Sequence, residues 1–121
     1  MPAKLSTHVL DLMHGCPAQG MQVDLWSLTS RGGTKSKLLK TVRTNADGRT
    51  DEPLLNNDEM ASGEYEIVFH VGDYFVGKSP PETSIRFLDL VPVRFGISDA
   101  NASYHVPLLC SPWAYSTYRG S

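Results

Sequence analysis

The side chains able to do polar chemistry here are four histidines, His8, His14, His70 and His105, with Arg49 and a terminal stretch, Ser103 to Ser121, that reads SYHVPLLCSPWAYSTYRGS. A neutral imidazole can take a proton from water near neutral pH, since its ordinary pKa is about 6.5. Arg49 cannot be a base, because guanidinium stays charged, but its planar fork suits a flat ligand or a developing oxyanion. Such residues point to acid–base work on a small polar molecule. Other chemistries lack their signatures: no Gly-x-Ser-x-Gly elbow supports a serine hydrolase, and no HExxH or close His spacing supports a zinc hydrolase. Asp47-Gly48 lacks the further spaced acids and bidentate Glu of a calcium loop. Neither a metal nor a cofactor is expected. Asn101-Ala102-Ser103 fits a glycosylation sequon, a pattern of little weight without a secretory signal.

Short strands must position these groups. Chain ends usually fray, yet this one carries aromatic, basic and hydroxyl residues at strand-like spacing up to Ser121. Alternation sets Tyr104, Val106 and Leu108 on one face and Ser103, His105, Pro107 and Leu109 on the other. After a turn at Ser111-Pro112, Ala114, Ser116, Tyr118 and Gly120 share a face opposite Tyr115, Thr117 and Arg119, so the two runs form a hairpin. Leu5 to Leu12 fits a first strand imperfectly, with His8 on the face of Ser6 and Leu10. Met21 to Leu28, Lys37 to Thr44, Gly63 to Val71 and Ile85 to Phe95 read as further strands, the last demoted to an edge or bulge by Pro92. Asn45-Ala46-Asp47-Gly48 is a tight turn that delivers Arg49 to a sheet rim. Gly72 to Gly77 is the one helical turn expected, before the Ser79-Pro80-Pro81 break, and Thr29 to Lys37 is a loop. Seven or eight short strands at such intervals predict an all-β sandwich.

The bulk numbers agree with a single domain spanning 1–121, since a chain of 121 residues can bury an independent core. With 11 basic and 13 acidic residues the net charge is −2, which argues against nucleic acid as partner. The opening MPAKLSTHVLD carries no apolar run of signal-peptide length, no segment approaches a membrane span, and the ending is not SKL, so the cytoplasm is the expected location. Cys16 and Cys110 form no CxxC motif and are expected to remain unpaired thiols.

The ending YHVPLLCSPWAYSTYRGS, the opening LSTHVLDLMHGCPAQGM and the central TNADGR together resemble the 5-hydroxyisourate hydrolase family, the transthyretin-related enzymes of urate breakdown. The likeness runs over nearly the whole chain, and Tyr118-Arg119-Gly120-Ser121 is its most specific part. The resemblance implies a transthyretin-like β-sandwich assembled as a homotetramer, a dimer of dimers with sites in the channel between the dimers. It implies catalytic roles for His8, Arg49 and His105 and substrate contact for Tyr118, Arg119, Gly120 and Ser121. Ser116 joins them as a hydrogen-bonding hydroxyl around the ring. His14 and His70, by a glycine turn and at a strand end, are expected to be structural. Ring opening of 5-hydroxyisourate would need a base for water, a partner for the oxyanion and a proton for the leaving nitrogen; which of His8 and His105 is the base stays open. The competing expectation is a carrier that binds a small aromatic ligand in the same channel without chemistry. The His8, Arg49, His105 set and the bulky Tyr118 phenol favour the enzyme.

Overall fold

A computed structural model describes residues 2–28, 36–78 and 85–120. Eight strands and one short helix follow in order: β1 (Leu5–Asp11), β2 (Cys16–Pro17), β3 (Gln22–Leu28), β4 (Ser36–Arg43), β5 (Gly63–His70), α1 (Val71–Phe75), β6 (Leu90–Ile97), β7 (Tyr104–Cys110) and β8 (Tyr115–Thr117). They form two four-stranded sheets, β2-β1-β7-β8 and β4-β3-β5-β6. The inward faces of both sheets contribute to one apolar cluster that includes Leu5, Val9, Val23, Leu25, Ile67, Phe69, Val91, Val106 and Leu108. This is the all-β sandwich with one short helix that the strand and turn spacing predicts.

β1 alternates cleanly once its polar members are included, with Leu5, Thr7, Val9 and Asp11 buried and Ser6, His8 and Leu10 half-buried on the opposite face. The apolar pattern looks broken because two core-facing positions are polar. Both have partners: the Thr7 hydroxyl donates to the Val106 carbonyl at 2.6 Å, and Asp11 accepts from the Tyr74 hydroxyl at 2.8 Å. A buried polar group is tolerable only with such partners. β1 lies parallel to β7, with Ser6 opposite His105 and His8 opposite Pro107. Antiparallel pairing of β7 with β8 makes the expected hairpin, which sets Leu109 opposite Ser116.

The fifth long strand differs from its expected span. β6 begins at Leu90, where it meets His70, and continues to Ile97 opposite Gly63; the expectation of Ile85 to Phe95 begins too early. Residues 86–89 instead fold onto α1, where the Gly72 amide donates to the Asp89 carbonyl at 2.9 Å and Arg86 reaches Asp73 and Asp89 at 2.8 and 3.0 Å. β5 has already ended there, so no neighbouring strand remains to pair with. Pro92 is exposed on β6, an outer strand of its sheet, as a residue without an amide donor requires. The helical turn occupies Val71–Phe75, one residue earlier than expected at its start. The Ser79-Pro80-Pro81 break and most of the expected 29–37 loop lie outside the described residues.

Candidate active site

Parallel pairing of β1 and β7 brings the first and last strongly patterned segments of the chain side by side, with His8 and His105 on the face turned away from the core. The Ser6 hydroxyl oxygen lies 2.8 Å from His105 Nδ1. His8 Nε2 lies 2.9 Å from the Asp47 carbonyl oxygen. A carbonyl can only accept, so Nε2 of His8 carries hydrogen and, in the neutral ring, the lone pair sits on Nδ1. Each histidine therefore has one nitrogen engaged by the protein.

The Asp47 carbonyl is held by the turn that also presents Arg49. The Gly48 amide donates to the Asn45 carbonyl at 2.9 Å and the Asn45 amide to the Arg49 carbonyl at 2.7 Å, while the Asn45 side-chain oxygen accepts from the amides of Asp47 and Arg49 at 2.9 and 3.2 Å. The turn is docked onto β1, because the Val9 amide donates to the Gly48 carbonyl at 2.8 Å. Gly48 has a φ of +75°, and a side chain there would run into the Val9 carbonyl. Only glycine meets both demands. With the turn thus seated, Arg49 joins Lys4, Ser6, Ser103, Tyr104 and His105 around an open cavity of about 290 Å³.

That cavity is electropositive. Burial first, and then the nearby charges of Arg49, His8 and Lys4, push the His105 imidazole below its usual 6.5. Both effects disfavour the cation, so His105 is neutral at pH 7 and able to accept a proton.

Past β8 the chain stays beside β7: Gly120 bridges to His105, its amide donating to the His105 carbonyl at 2.7 Å. Ser116, opposite Leu109, and Gly120, opposite His105, belong to the outer face, and alternation sets Tyr118 between them. Arg119 turns the other way, its guanidinium carbon 4.0 Å from the centroid of the Tyr104 ring. The structure thus gathers His8, Arg49 and His105, runs the Ser116 to Gly120 segment alongside, and directs Arg119 to the Tyr104 side. Ser121 lies outside the described residues.

His14 and His70 are each tied to a carboxylate away from this cavity. His14 Nδ1 lies 2.7 Å from Asp11 and its Nε2 lies 2.9 Å from the Lys78 carbonyl; His70 Nε2 lies 2.8 Å from Asp24. These contacts suit the structural role expected of both. Cys16 and Cys110 are free thiols, the latter buried with its pKa pushed up to about 12, mainly by that burial. Among the described residues no three His, Cys, Asp or Glu side chains converge to hold a metal ion. Sequence reasoning did not select Lys4, Ser6, Ser103 and Tyr104 for the cavity. Ser6 and Ser103 were within reach, each two positions before a histidine on the same face; Lys4 and Tyr104 enter only through the β1–β7 pairing.

The profile of the HIUase/Transthyretin family matches residues 5–120. 5-Hydroxyisourate hydrolase 2 of Rhizobium meliloti is 52% identical over 98% of this chain and 96% of its own length. Among solved structures, Klebsiella pneumoniae 5-hydroxyisourate hydrolase is 29% identical with a TM-score of 0.75, covering 98% of this chain and 99% of that one. An (S)-allantoin synthase is 43% identical with a TM-score of 0.89, and although the match covers 98% of this chain it spans only 44% of that larger one. With likeness in sequence and fold extending over nearly its whole length, the chain belongs to the HIUase/Transthyretin family.

Proposed function

We propose that this chain is a 5-hydroxyisourate hydrolase, opening its substrate to 2-oxo-4-hydroxy-4-carboxy-5-ureidoimidazoline in urate breakdown. Relatives that bear the enzyme's name and match nearly end to end support the reading. The observation that carries it is the joining of His8 and His105 on one outer sheet face, with Arg49 held at the rim of the same cavity.

His105, neutral at pH 7, takes a proton from water as the water oxygen attacks the ring carbonyl carbon. Arg49 faces the oxygen on which negative charge develops, and a preset cation there costs no reorganisation during the reaction. The carbon–nitrogen bond then breaks, and the proton held by His105 passes to the departing nitrogen. Water is thereby added across the bond with the imidazole regenerated. His8, donating from Nε2 to the Asp47 carbonyl, offers Nδ1 to orient the water or the substrate. Ser116, Tyr118 and the Gly120 backbone, on the face that carries both histidines, lie along the ring. The reaction needs no cofactor or metal.

One copy leaves this face uncovered, with Tyr118 59% exposed. Aromatic area of that kind suits burial against a second copy. The active form is a homotetramer, a dimer of dimers with its sites between the dimers, built from a single-domain chain acting in the cytoplasm on a small molecule.

The test is ultraviolet absorbance after urate oxidase has generated 5-hydroxyisourate, with and without the protein. Decay faster than the spontaneous rate, reduced by about 10² to 10⁴ in His105→Asn, is expected. Decay at the spontaneous rate with folded tetrameric protein would instead favour a carrier of small aromatic ligands.

A further inference from the structure

The ladder between β7 and β8 ends at Thr117, yet the chain remains on β7 until Gly120. Residues 115–119 are all exposed, so apolar burial does not hold this tail. Within the ladder the Thr117 hydroxyl donates to the Pro107 carbonyl at 2.7 Å, and beyond it, among the described residues, two further polar attachments hold the tail. One is the Gly120 amide on the His105 carbonyl at 2.7 Å. The other is Arg119, whose guanidinium lies over the Tyr104 ring and donates to the Ser103 carbonyl at 3.3 Å.

Tyr104 is a firm base for that contact. It is 5% exposed, and its hydroxyl accepts from the amides of Ser98 and Asp99 at 3.0 and 3.1 Å. Its ring is thus fixed at both ends, by the strand and by the 98–99 turn. An Arg stacked on a fixed aromatic face is held by attraction to the ring and by its own planarity. Adjacent residues of the tail therefore grip adjacent residues of β7 from opposite sides: Arg119 takes Tyr104, and Gly120 takes His105.

We propose that Tyr104 and Arg119 form a clamp that keeps the C-terminal tail in register with β7 and sets the Gly120 backbone against the His105 ring. Arg119 is then a positioning residue and not the substrate contact that the family resemblance implies. The proposal deepens the hydrolase reading, since the clamp serves the geometry of that reaction.

The test is a cycle of Arg119→Gln, Tyr104→Leu and the double variant, following exchange of the Gly120 amide by nuclear magnetic resonance and, separately, kcat and KM. Arg119→Gln should speed Gly120 exchange about two- to fivefold, the span expected from losing one exposed cation–aromatic contact. It should lower kcat more than it raises KM, and adding it to Tyr104→Leu should change little further. Unaltered Gly120 exchange in Arg119→Gln, with the loss confined to KM, would overturn the clamp; so would additive effects in the double variant. If Tyr104→Leu does not fold, exchange in Arg119→Gln decides alone. The exchange readout needs no turnover, so a wild-type protein inactive on 5-hydroxyisourate would defeat the hydrolase reading while leaving the clamp to be judged separately.

Discussion

Gly120→Ala tests the site geometry with the smallest possible change. A β-carbon built on Gly120 would lie 2.7 Å from Cδ2 of the His105 ring, 3.4 Å from Cγ and 3.5 Å from Cβ. Non-bonded carbons settle at about 3.5–4.0 Å, so either the ring or the tail must retreat by about 0.8 Å or more. Gly120 is not among the glycines with positive φ, so alanine meets no backbone strain and the effect is purely that of the added methyl. A displacement of about 1 Å at a catalytic group can cost about 10²-fold in rate, or about 2.7 kcal/mol of barrier. The tail is exposed and adds little to the core, so global stability should change by no more than about 0.5 kcal/mol. The expected outcome is therefore a kcat lowered about a hundredfold with Tm nearly unchanged, measured by 5-hydroxyisourate absorbance and by thermal unfolding. Turnover within twofold of wild type would refute the packing argument, because no contact that close could leave a working His105 undisturbed.

Three further outcomes follow from the electrostatics. Because burial and the cations around it hold the His105 pKa below 6.5, the acid limb of the rate profile should fall at a pH below 6.5, and a limb centred above 6.5 would argue against His105 as base. Asp11→Asn should destabilise the fold by about 2 kcal/mol, since the buried carboxylate accepts from the Tyr74 hydroxyl and the His14 amide and pairs with the His14 imidazole, and a neutral amide loses the charge that strengthens all three contacts; an unchanged Tm would contradict this. The Asp11–His14 pair has its own pH window. Burial alone would raise the Asp11 pKa, but hydrogen bonds from His14 and Tyr74 outweigh it and hold it below 3.8, so its contribution is present above 3.8 and lost as pH falls through the folded value. The His14 pKa is raised above 6.5, chiefly by its hydrogen bond to Asp11, so its contribution is complete below 6.5 and lost as pH rises through the folded value. The pair should stabilise most between those limits.

Much of this architecture is legible in the residue order because strand alternation and turn chemistry are local. Tyr65, Ile67 and Phe69 alternate with polar neighbours and are all buried on β5; Asn45 to Gly48 has the residues of a tight turn and makes one. The terminal hairpin, including the opposite facing of Arg119 and Gly120, likewise follows from a period of two. The start of β6 was not legible, because residues 85–89 have strand-like composition and only the ion pairs of Arg86 and the end of β5 draw them elsewhere. Nor does β1 announce itself plainly, since Thr7 and Asp11 occupy core positions whose polarity is answered by Val106 and Tyr74, far away in sequence.

The sequence by itself determined which side chains could do the chemistry, the strands that carry them and the face each takes along its own strand, because these depend on residue type and on neighbours a few positions away. Only the tertiary structure decided that β1 lies parallel to β7 with Ser6 against His105, that the Asn45–Arg49 turn seats on Val9, and that Arg119 stacks on Tyr104. A period of two fixes the face of a strand but not its partner. Pairing between distant segments is chosen by the burial of the whole core, and that choice sets His8 and His105 on one face, with Arg49 lining the cavity that His105 also lines.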